Sequence, residues 1–389
     1  MAFSIGAQLR REGRLLFADP WLMSLVSWIP LLLFGSIWFI FSGAIARDLA
    51  TGVVDLDGSR MSRALIRQYD AGPALQVGRS YSTVAEGAKA LRGGEIYALV
   101  IIPASLEKDT LLGRVPQVTA FYNSQFILIG RLINAALQQA HGTSVAGIEV
   151  AGNLRSGSPE MRMALATAVP IGNQLNPLFN SSSNYAQFLV SAIIPAIWQI
   201  LIVVTTILSM VVEMGREEGL YRWLHPHPIA AILLKLMPYT LVFWLQGIGF
   251  LGGMFVLLGW PMHGSWAVLL GAQFLTVLAC QAAGACIFFL NPDPTRALSL
   301  AAAYTAPAFA FMGITFPVSD MNLAARIWRS ILPISHYIDI QVSQANYGAP
   351  AATAISDLGC LLVFLLLLAV AVLKARQISA AQPAEEVLA

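Results

Sequence analysis

The residues most able to do chemistry in this chain form a charged island, Glu213-Met-Gly-Arg-Glu-Glu-Gly-Leu-Tyr-Arg-Trp-Leu-His-Pro-His-Pro228. An apolar run ends just before it at Val212, and Lys235 is the one acidic or basic residue between the island and Asp293. Charges this dense between membrane-length apolar runs must lie in water at one face of a bilayer. Carboxylates and guanidinium groups there can make charge-assisted contacts with a second protein, so the island is a candidate docking site. A merely solvated loop between two spans is the alternative.

Signatures of catalysis are missing from the sequence. It contains no His-Glu-x-x-His, no Gly-x-Ser-x-Gly, and no pair of acidic residues inside the apolar runs that would support intramembrane proteolysis. Histidines such as His225 and His227 often bind metal ions. Here no cysteine or third histidine lies nearby and prolines flank both residues, which favours a turn over a metal site. Three cysteines inside apolar runs are expected to be small core residues: Cys280, Cys286 and Cys360. We therefore predict no catalytic residue, no metal site and no cofactor in this chain.

Sources of energy are missing as well. No Gly-x-x-x-x-Gly-Lys-[Ser/Thr] occurs, so the chain is not expected to bind ATP. A proton relay needs ionisable residues deep in the membrane, whereas the apolar runs after the island hold only Lys235 and Asp357, each toward one end. Any energy that the chain uses must therefore come from a partner.

The composition identifies the class of protein. Of 389 residues, 57% are hydrophobic and only 11% are charged, against roughly 25% charged residues in soluble domains. The mean hydropathy is +0.68. These values predict an α-helical integral membrane protein. The net charge of +2 gives no indication of a nucleic-acid partner.

An interfacial helix and a first span are predicted before the first soluble stretch. In residues 1–20, three cations cluster opposite the apolar residues on a helical wheel: Arg10, Arg11 and Arg14. This predicts an amphipathic helix on the membrane with its cations toward anionic headgroups, although Glu12 falls on the apolar side. Residues 21–46 carry no charge and form the predicted first span. A cleaved signal peptide is the alternative, but its apolar core would run only about 7–15 residues.

Residues 47–186 have the composition of a soluble domain and alternate between strand and helix patterns. The predicted strands cover about 52–56, 75–78, 98–102 and 118–122, and the predicted helices about 59–69, 83–91, 104–112 and 126–139. Thr83 and Glu86 form a capping box at the second helix, and the last helix is expected to end near Gly142. Such alternation predicts a small α/β domain on a mostly parallel sheet. The stretch 143–184 is typical of a connector.

Five further spans follow, which gives six transmembrane helices with the α/β domain inserted between spans 1 and 2. Residues 187–389 hold them at about 187–212, 229–258, 266–290, 297–316 and 352–373. Short cytosolic loops carry an excess of Lys and Arg. With the N-terminus inside, the short inner segments hold nine cations and the short outer loops hold only Arg326 and Arg329. Both termini and the 213–228 island are therefore predicted in the cytoplasm, and the α/β domain is predicted to be extracytoplasmic.

Several stretches together resemble the membrane subunits of ABC-type exporters of the second permease class, which have the type V exporter fold. More narrowly, the chain is similar to multidrug-type permeases with a large outer domain between the first two spans. The stretches that carry the resemblance follow the family's order: Gly52–Asp55, Ser59–Leu65, Ala98–Pro103, Arg216–Gly219, Met312–Pro317 and Leu332–Tyr337. Leu220 stands where the family usually has threonine. The resemblance covers nearly the whole chain.

The resemblance implies a mechanism and a set of partners. Two permeases, identical or related, face each other in the bacterial inner membrane, and a cytosolic ABC ATPase that holds ATP and Mg²⁺ docks on each. In a two-membrane bacterium a periplasmic membrane-fusion adaptor also meets the outer domain. Closure of the ATPases moves the island and the N-terminal helix, and opens a path between spans 2 and 5 for lipophilic or drug-like cargo. The alternative function is a membrane sensor or channel with an extracytoplasmic ligand-binding domain.

Roles follow for individual residues. The expected ATPase-coupling residues are Glu213, Arg216, Glu217, Glu218, Gly219, Arg222 and Trp223. Tyr221, Trp223 and Leu224 are expected to provide an apolar anchor for the ATPase. Polar residues of the second span are pathway candidates, with helix–helix hydrogen bonds as the alternative: Gln199, Thr205, Thr206 and Ser209. A re-entrant segment over 317–335 is implied near the outer exit, with these exit candidates: Gly313, Phe316, Pro317, Asp320 and Met321.

Overall fold

The computed structural model describes residues 5–43, 46–125, 127–155, 178–180, 184–216 and 219–381. The chain divides into two compact units. A membrane unit comprises Met1–Ala44 and Pro177–Ala389, and an α/β unit comprises Ile45–Asn176. The two units are described separately.

The membrane unit begins with an amphipathic helix and a broken first span. Helix α1 covers Ile5–Ala18, α2 covers Pro20–Val26 and α3 covers Trp28–Ile40. The Asp19 carboxylate accepts hydrogen bonds from the backbone N–H groups of Trp21 and Leu22 at 2.9 and 3.0 Å, which caps α2 and ends α1. The span-length stretch is Pro20–Ile40, so the helix ends six residues before the predicted bound at residue 46.

The α/β unit has the strands and helices that its local patterns predict. Its elements are β1 (Leu49–Asp55), α4 (Arg60–Asp70), β2 (Leu75–Ser80), α5 (Val84–Arg92), β3 (Ala98–Ile102), α6 (Leu106–Leu111), β4 (Thr119–Tyr122) and α7 (Ile127–Arg155). The strand order is β2-β1-β3-β4; β1 runs parallel to β2 and β3, and β4 runs antiparallel to β3. The capping box of Thr83 and Glu86 is present at α5. The predicted helix end near Gly142 is wrong, because α7 continues to Arg155.

The second half of the membrane unit is helical. Its elements are α8 (Tyr185–Met214), α9 (Gly219–Leu224), α10 (Pro228–Leu251, extended by a π-helical turn to Leu257), α11 (Trp266–Leu290), α12 (Pro294–Thr305), α13 (Ala308–Phe311), α14 (Leu323–Ser330), α15 (Pro333–Gln341), α16 (Ile355–Val363) and α17 (Leu365–Ala381). Helices α8 and α11 form the centre of this unit. A Cβ added at Gly284 on α11 would lie 3.0 Å from Thr206 Cβ on α8, so this glycine lets the two helices pack closely.

Five helices in the described part of the chain are long and apolar enough to cross a membrane. They are Pro20–Ile40, Tyr185–Met214, Pro228–Leu257, Trp266–Leu290 and Ala351–Ala380. The sixth predicted helix, at 297–316, differs. Helix α12 has 12 residues, or about 18 Å at 1.5 Å per residue, against a hydrocarbon core of about 30 Å. Pro307 follows, and because it lacks an N–H and its ring obstructs the preceding turn, the helix breaks there.

Candidate functional site

The island consists of a turn and a short helix between α8 and α10. Helix α8 ends at Met214, α9 begins at Gly219, and Glu217 and Glu218 lie outside the described residues. Gly219 has φ of +61°, a conformation that glycine adopts without steric strain, and this sets the start of α9. Pro228 occupies the first turn of α10, where its missing N–H leaves no hydrogen bond unmade.

The island has one exposed side and one buried side. Arg216, Arg222 and His225 are exposed. Trp223 and Leu224 are buried in the core of the membrane unit. Trp223 and Leu224, two of the three residues predicted to anchor a partner, therefore pack within the chain itself and fix α9 to the membrane unit.

Four charged side chains form a closed ring beside the island. Arg11 contacts Glu12 at 2.9 Å and Glu213 at 2.6 Å, and Lys235 contacts Glu12 at 2.8 Å and Glu213 at 2.7 Å. Glu12, Glu213 and Lys235 are only 1–2% exposed, whereas Arg11 is 26% exposed. We call this group the charge ring. It joins α1, the end of α8 and the second turn of α10.

The charge ring changes the roles predicted for two groups of residues. Arg10 and Arg14 are exposed, but Arg11 turns inward to Glu213, so the three cations do not share one solvated side. Glu12 does not disturb the amphipathic pattern, because Lys235 and Arg11 neutralise it where it is buried. Glu213 is buried at the end of α8, and its carboxylate is not available for direct contact with a soluble partner.

The four pathway candidates are completely buried within the membrane unit. The Gln199 Oε1 accepts a hydrogen bond from the backbone N–H of Ile334 at 3.1 Å, which ties α8 to α15. The Ser209 hydroxyl donates to the carbonyl of Thr206 at 2.7 Å, within α8. Among the described residues, Gln199 therefore makes a hydrogen bond between helices, whereas the Thr206 hydroxyl is buried without a hydrogen-bond partner.

The five exit candidates lie in the segment between α13 and α14. Phe316, Pro317 and Asp320 are exposed, and Met321 is buried. Gly313 has φ of +94°, and an added Cβ would lie 2.8 Å from Val318 Cγ2. The segment continues into two short helices, α14 and α15, and neither has the length of a span.

Two charge pairs connect α15 to its neighbours α14 and α16, and neither is predicted from the sequence. The Arg329 guanidinium on α14 binds the Asp339 carboxylate on α15. The imidazole Nδ1 of His336 on α15 lies 3.0 Å from an Asp357 carboxylate oxygen on α16. Burial raises the pKa of Asp339, and the hydrogen bond and charge of Arg329 oppose that shift. Asp357 was expected near the outer surface, and its sequence position gave no indication of a histidine partner.

The chemistry that these residues support is binding and positioning. Within the described ranges, no group of three or more His, Cys, Asp or Glu side chains could hold a metal ion. Cys280 and Cys286 are buried, as expected of core residues, but Cys360 is exposed. The concentration of ion pairs where the island meets α1 makes this region the best candidate for a functional site.

Comparisons with known proteins agree with the helical membrane architecture. A family model described as "ABC-2 family transporter protein" matches residues 20–374. Neither the curated proteins nor the solved structures contain a match to this chain. Proteins of this family are membrane transport components that work with an ABC ATPase and usually lack an ATPase site of their own. Because the match extends over most of its length, the chain belongs to the ABC-2 family of transporter proteins and is a membrane permease component of an ABC transporter.

Proposed function

We propose that the chain is the permease subunit of an ATP-driven exporter, which moves lipophilic or drug-like molecules outward and is energised by a separate cytosolic ATPase. The observation that carries this proposal is the family match over residues 20–374. The sequence itself has no phosphate-binding Gly-x-x-x-x-Gly-Lys-[Ser/Thr] motif, which assigns ATP and Mg²⁺ to the partner.

The ATPase docks on the exposed side of the 213–228 island. Arg216 and Arg222 present two cations there, and charge-assisted contacts from guanidinium groups are directional and strong. Trp223 and Leu224 hold α9 against the membrane unit from the opposite side, so a force on the arginines is passed to the spans rather than absorbed by a loop. Glu217 and Glu218 belong to the same proposed surface by sequence.

The proposed orientation and assembly follow from the charge distribution and the family. The excess of Lys and Arg in the short segments supports a cytoplasmic position for both termini and the island, in a bacterial inner membrane. Two copies of the chain, or this chain and a paralogue, form the working pair. A periplasmic membrane-fusion adaptor contacts the α/β unit in two-membrane bacteria.

Charge reversal tests the docking site. The chain is co-expressed with its ATPase subunit and purified as the complex, as wild type and as the Arg216→Glu/Arg222→Glu variant. Losing two charge-assisted contacts is expected to weaken ATPase binding by at least about a hundredfold. Arg92→Glu, at the exposed end of α5, is the matched control and should bind like wild type. Wild-type affinity and transport-stimulated ATP hydrolysis in the double variant would overturn the assignment.

One observation favours the alternative of a membrane sensor. The α/β unit contains a cleft of about 660 Å³ between α4, α6 and α7, lined by Met61, Leu106 and Ile148 with Arg60 and His141 at its polar part. Its size lies within the range of small-molecule pockets, about 300–1,000 Å³. Ala64→Trp would place a large side chain in this cleft and reduce the space for a ligand. A sensor would then lose its ligand response, whereas an exporter would keep ATP-dependent transport.

A further inference from the structure

We propose that Glu12 and Lys235 are positioning residues, and that the charge ring they complete makes α1, α9 and the ends of α8 and α10 move as one body during transport. This inference rests on the proposed function, in which an ATPase pushes on the island. It concerns residues on either side of the island that the docking proposal does not use.

The ring is closed, and every carboxylate oxygen in it has a partner. Glu12 uses Oε1 for Arg11 and Oε2 for Lys235, and Glu213 uses Oε1 for Lys235 and Oε2 for Arg11. Each cation therefore bridges both anions, and the formal charges cancel. Displacing any one of the three elements that carry these residues breaks two contacts at once, which resists independent movement of α1 against either span.

Helix α9 joins the ring through an aromatic contact. The Lys235 Nζ lies over the Trp223 ring, 5.6 Å from its centroid, which is within the range of a cation–π interaction. Leu224, the next residue, is fully buried. Helix α10, which carries Lys235, makes another contact with the N-terminal helices. The side-chain amide of Gln246 on α10 donates a hydrogen bond to the carbonyl of Val26 on α2 at 2.7 Å. Lys235 thus belongs to the charge ring and also contacts the island helix α9.

The energetics of buried ions indicate that the ring is suited to positioning more than to stability. Replacing a buried ion pair by apolar or neutral side chains of similar size is often neutral or stabilising. Simple packing of α1 would therefore be served as well by uncharged residues. A network of short directional contacts instead fixes one geometry, and this is the property that force transmission from α9 to the spans requires.

The decisive variant removes one anion and one cation together. Glu12→Gln/Lys235→Met leaves the Arg11–Glu213 contact at 2.6 Å in place, so no buried charge lacks a partner. Its matched control, Arg79→Met/Glu95→Gln, removes an exposed ion pair of the α/β unit. Both are made in the full chain, with Cys280, Cys286 and Cys360 replaced, and are purified with the ATPase.

The experiment measures movement in the segment between α13 and α14, which holds the exit candidates. A cysteine replaces the exposed Phe316, and its labelling by a membrane-impermeant maleimide is measured with and without ATP and vanadate. We expect ATP to change the labelling rate in wild type and in the control. In the double variant this response should fall at least about tenfold, because three of the four ion pairs of the ring are lost and a single charge-assisted hydrogen bond already accounts for about tenfold, while ATPase binding and melting temperature stay near wild type.

The outcomes separate the two proposals. A wild-type complex that binds no ATPase, or whose labelling ignores ATP, contradicts the proposed function. A double variant that binds ATPase and responds to ATP like wild type contradicts only the role of the ring. If the double variant does not fold, Glu12→Asp decides instead, because it keeps all charges but withdraws the carboxylate by about 1.5 Å. An unchanged response in Glu12→Asp would then refute the positioning role.

Discussion

Removing Lys235 alone should destabilise the protein far more than removing it together with Glu12. In Lys235→Met, contacts of 2.7 and 2.8 Å are lost, and two carboxylates that are at most 2% exposed share the single cation of Arg11. Breaking a buried ion pair from one side is worth about 3–5 kcal/mol, because it leaves an uncompensated charge. The expected fall in melting temperature is roughly 5–10 °C.

The second substitution should reverse this loss. Adding Glu12→Gln to Lys235→Met restores the balance of one cation and one anion, so the melting temperature should recover to within about 3 °C of wild type. Thermal unfolding of the purified chain, followed by tryptophan fluorescence, measures both values. Lys374→Met, which removes an exposed lysine from α17, controls for the loss of a lysine side chain. If the double variant is no more stable than Lys235→Met, the two side chains are not coupled and the charge ring does not exist as described.

Two further predictions concern packing and titration. A Cβ at Gly247 on α10 would lie 2.9 Å from Gln273 Nε2; Gly247→Ala should therefore cost about 1–3 kcal/mol by overpacking. Gly249→Ala, with no atom within 4 Å, should be neutral or stabilising by up to about 1 kcal/mol in the same thermal assay. Burial raises the pKa of Tyr69 in the α/β unit to about 12, so the protonated form favours the folded state and stability falls as pH rises from about 10 to 12. Chemical denaturation across this range should show a steeper loss in wild type than in Tyr69→Phe, and parallel curves would contradict the assignment.

The sequence predicted the α/β unit well because its signals are local. Ser59 and the Thr83–Glu86 pair cap their helices as their spacing requires. The fourth span has the predicted bounds, Trp266–Leu290. Ser265 caps the start of this helix, and the helix ends just before Asn291, which prolines follow. At 297–316 the helix is shorter than the sequence predicts, because Pro307 breaks it and the effect of proline on the backbone is independent of hydropathy.

The charge ring could not be read from local patterns. Lys235 is 223 residues from Glu12 and 22 residues from Glu213 along the chain. The sequence does contain one hint, since an acidic residue on the apolar side of an amphipathic helix requires a cation when it is buried. Lys235, as the one charge in its span, was the available partner. The burial of the pathway candidates depends on how α8 packs against α11 and α15, which composition does not specify.

Photo-crosslinking of the purified permease–ATPase complex tests the central claim most directly. A photoreactive phenylalanine derivative replaces Arg222 on the exposed side of α9, or the exposed Arg79 of the α/β unit as the matched position. The proposed docking predicts a crosslink to the ATPase from position 222 and none from position 79. A stable complex that gives no crosslink from position 222, or gives one from position 79, would contradict the claim that the ATPase engages the 213–228 island.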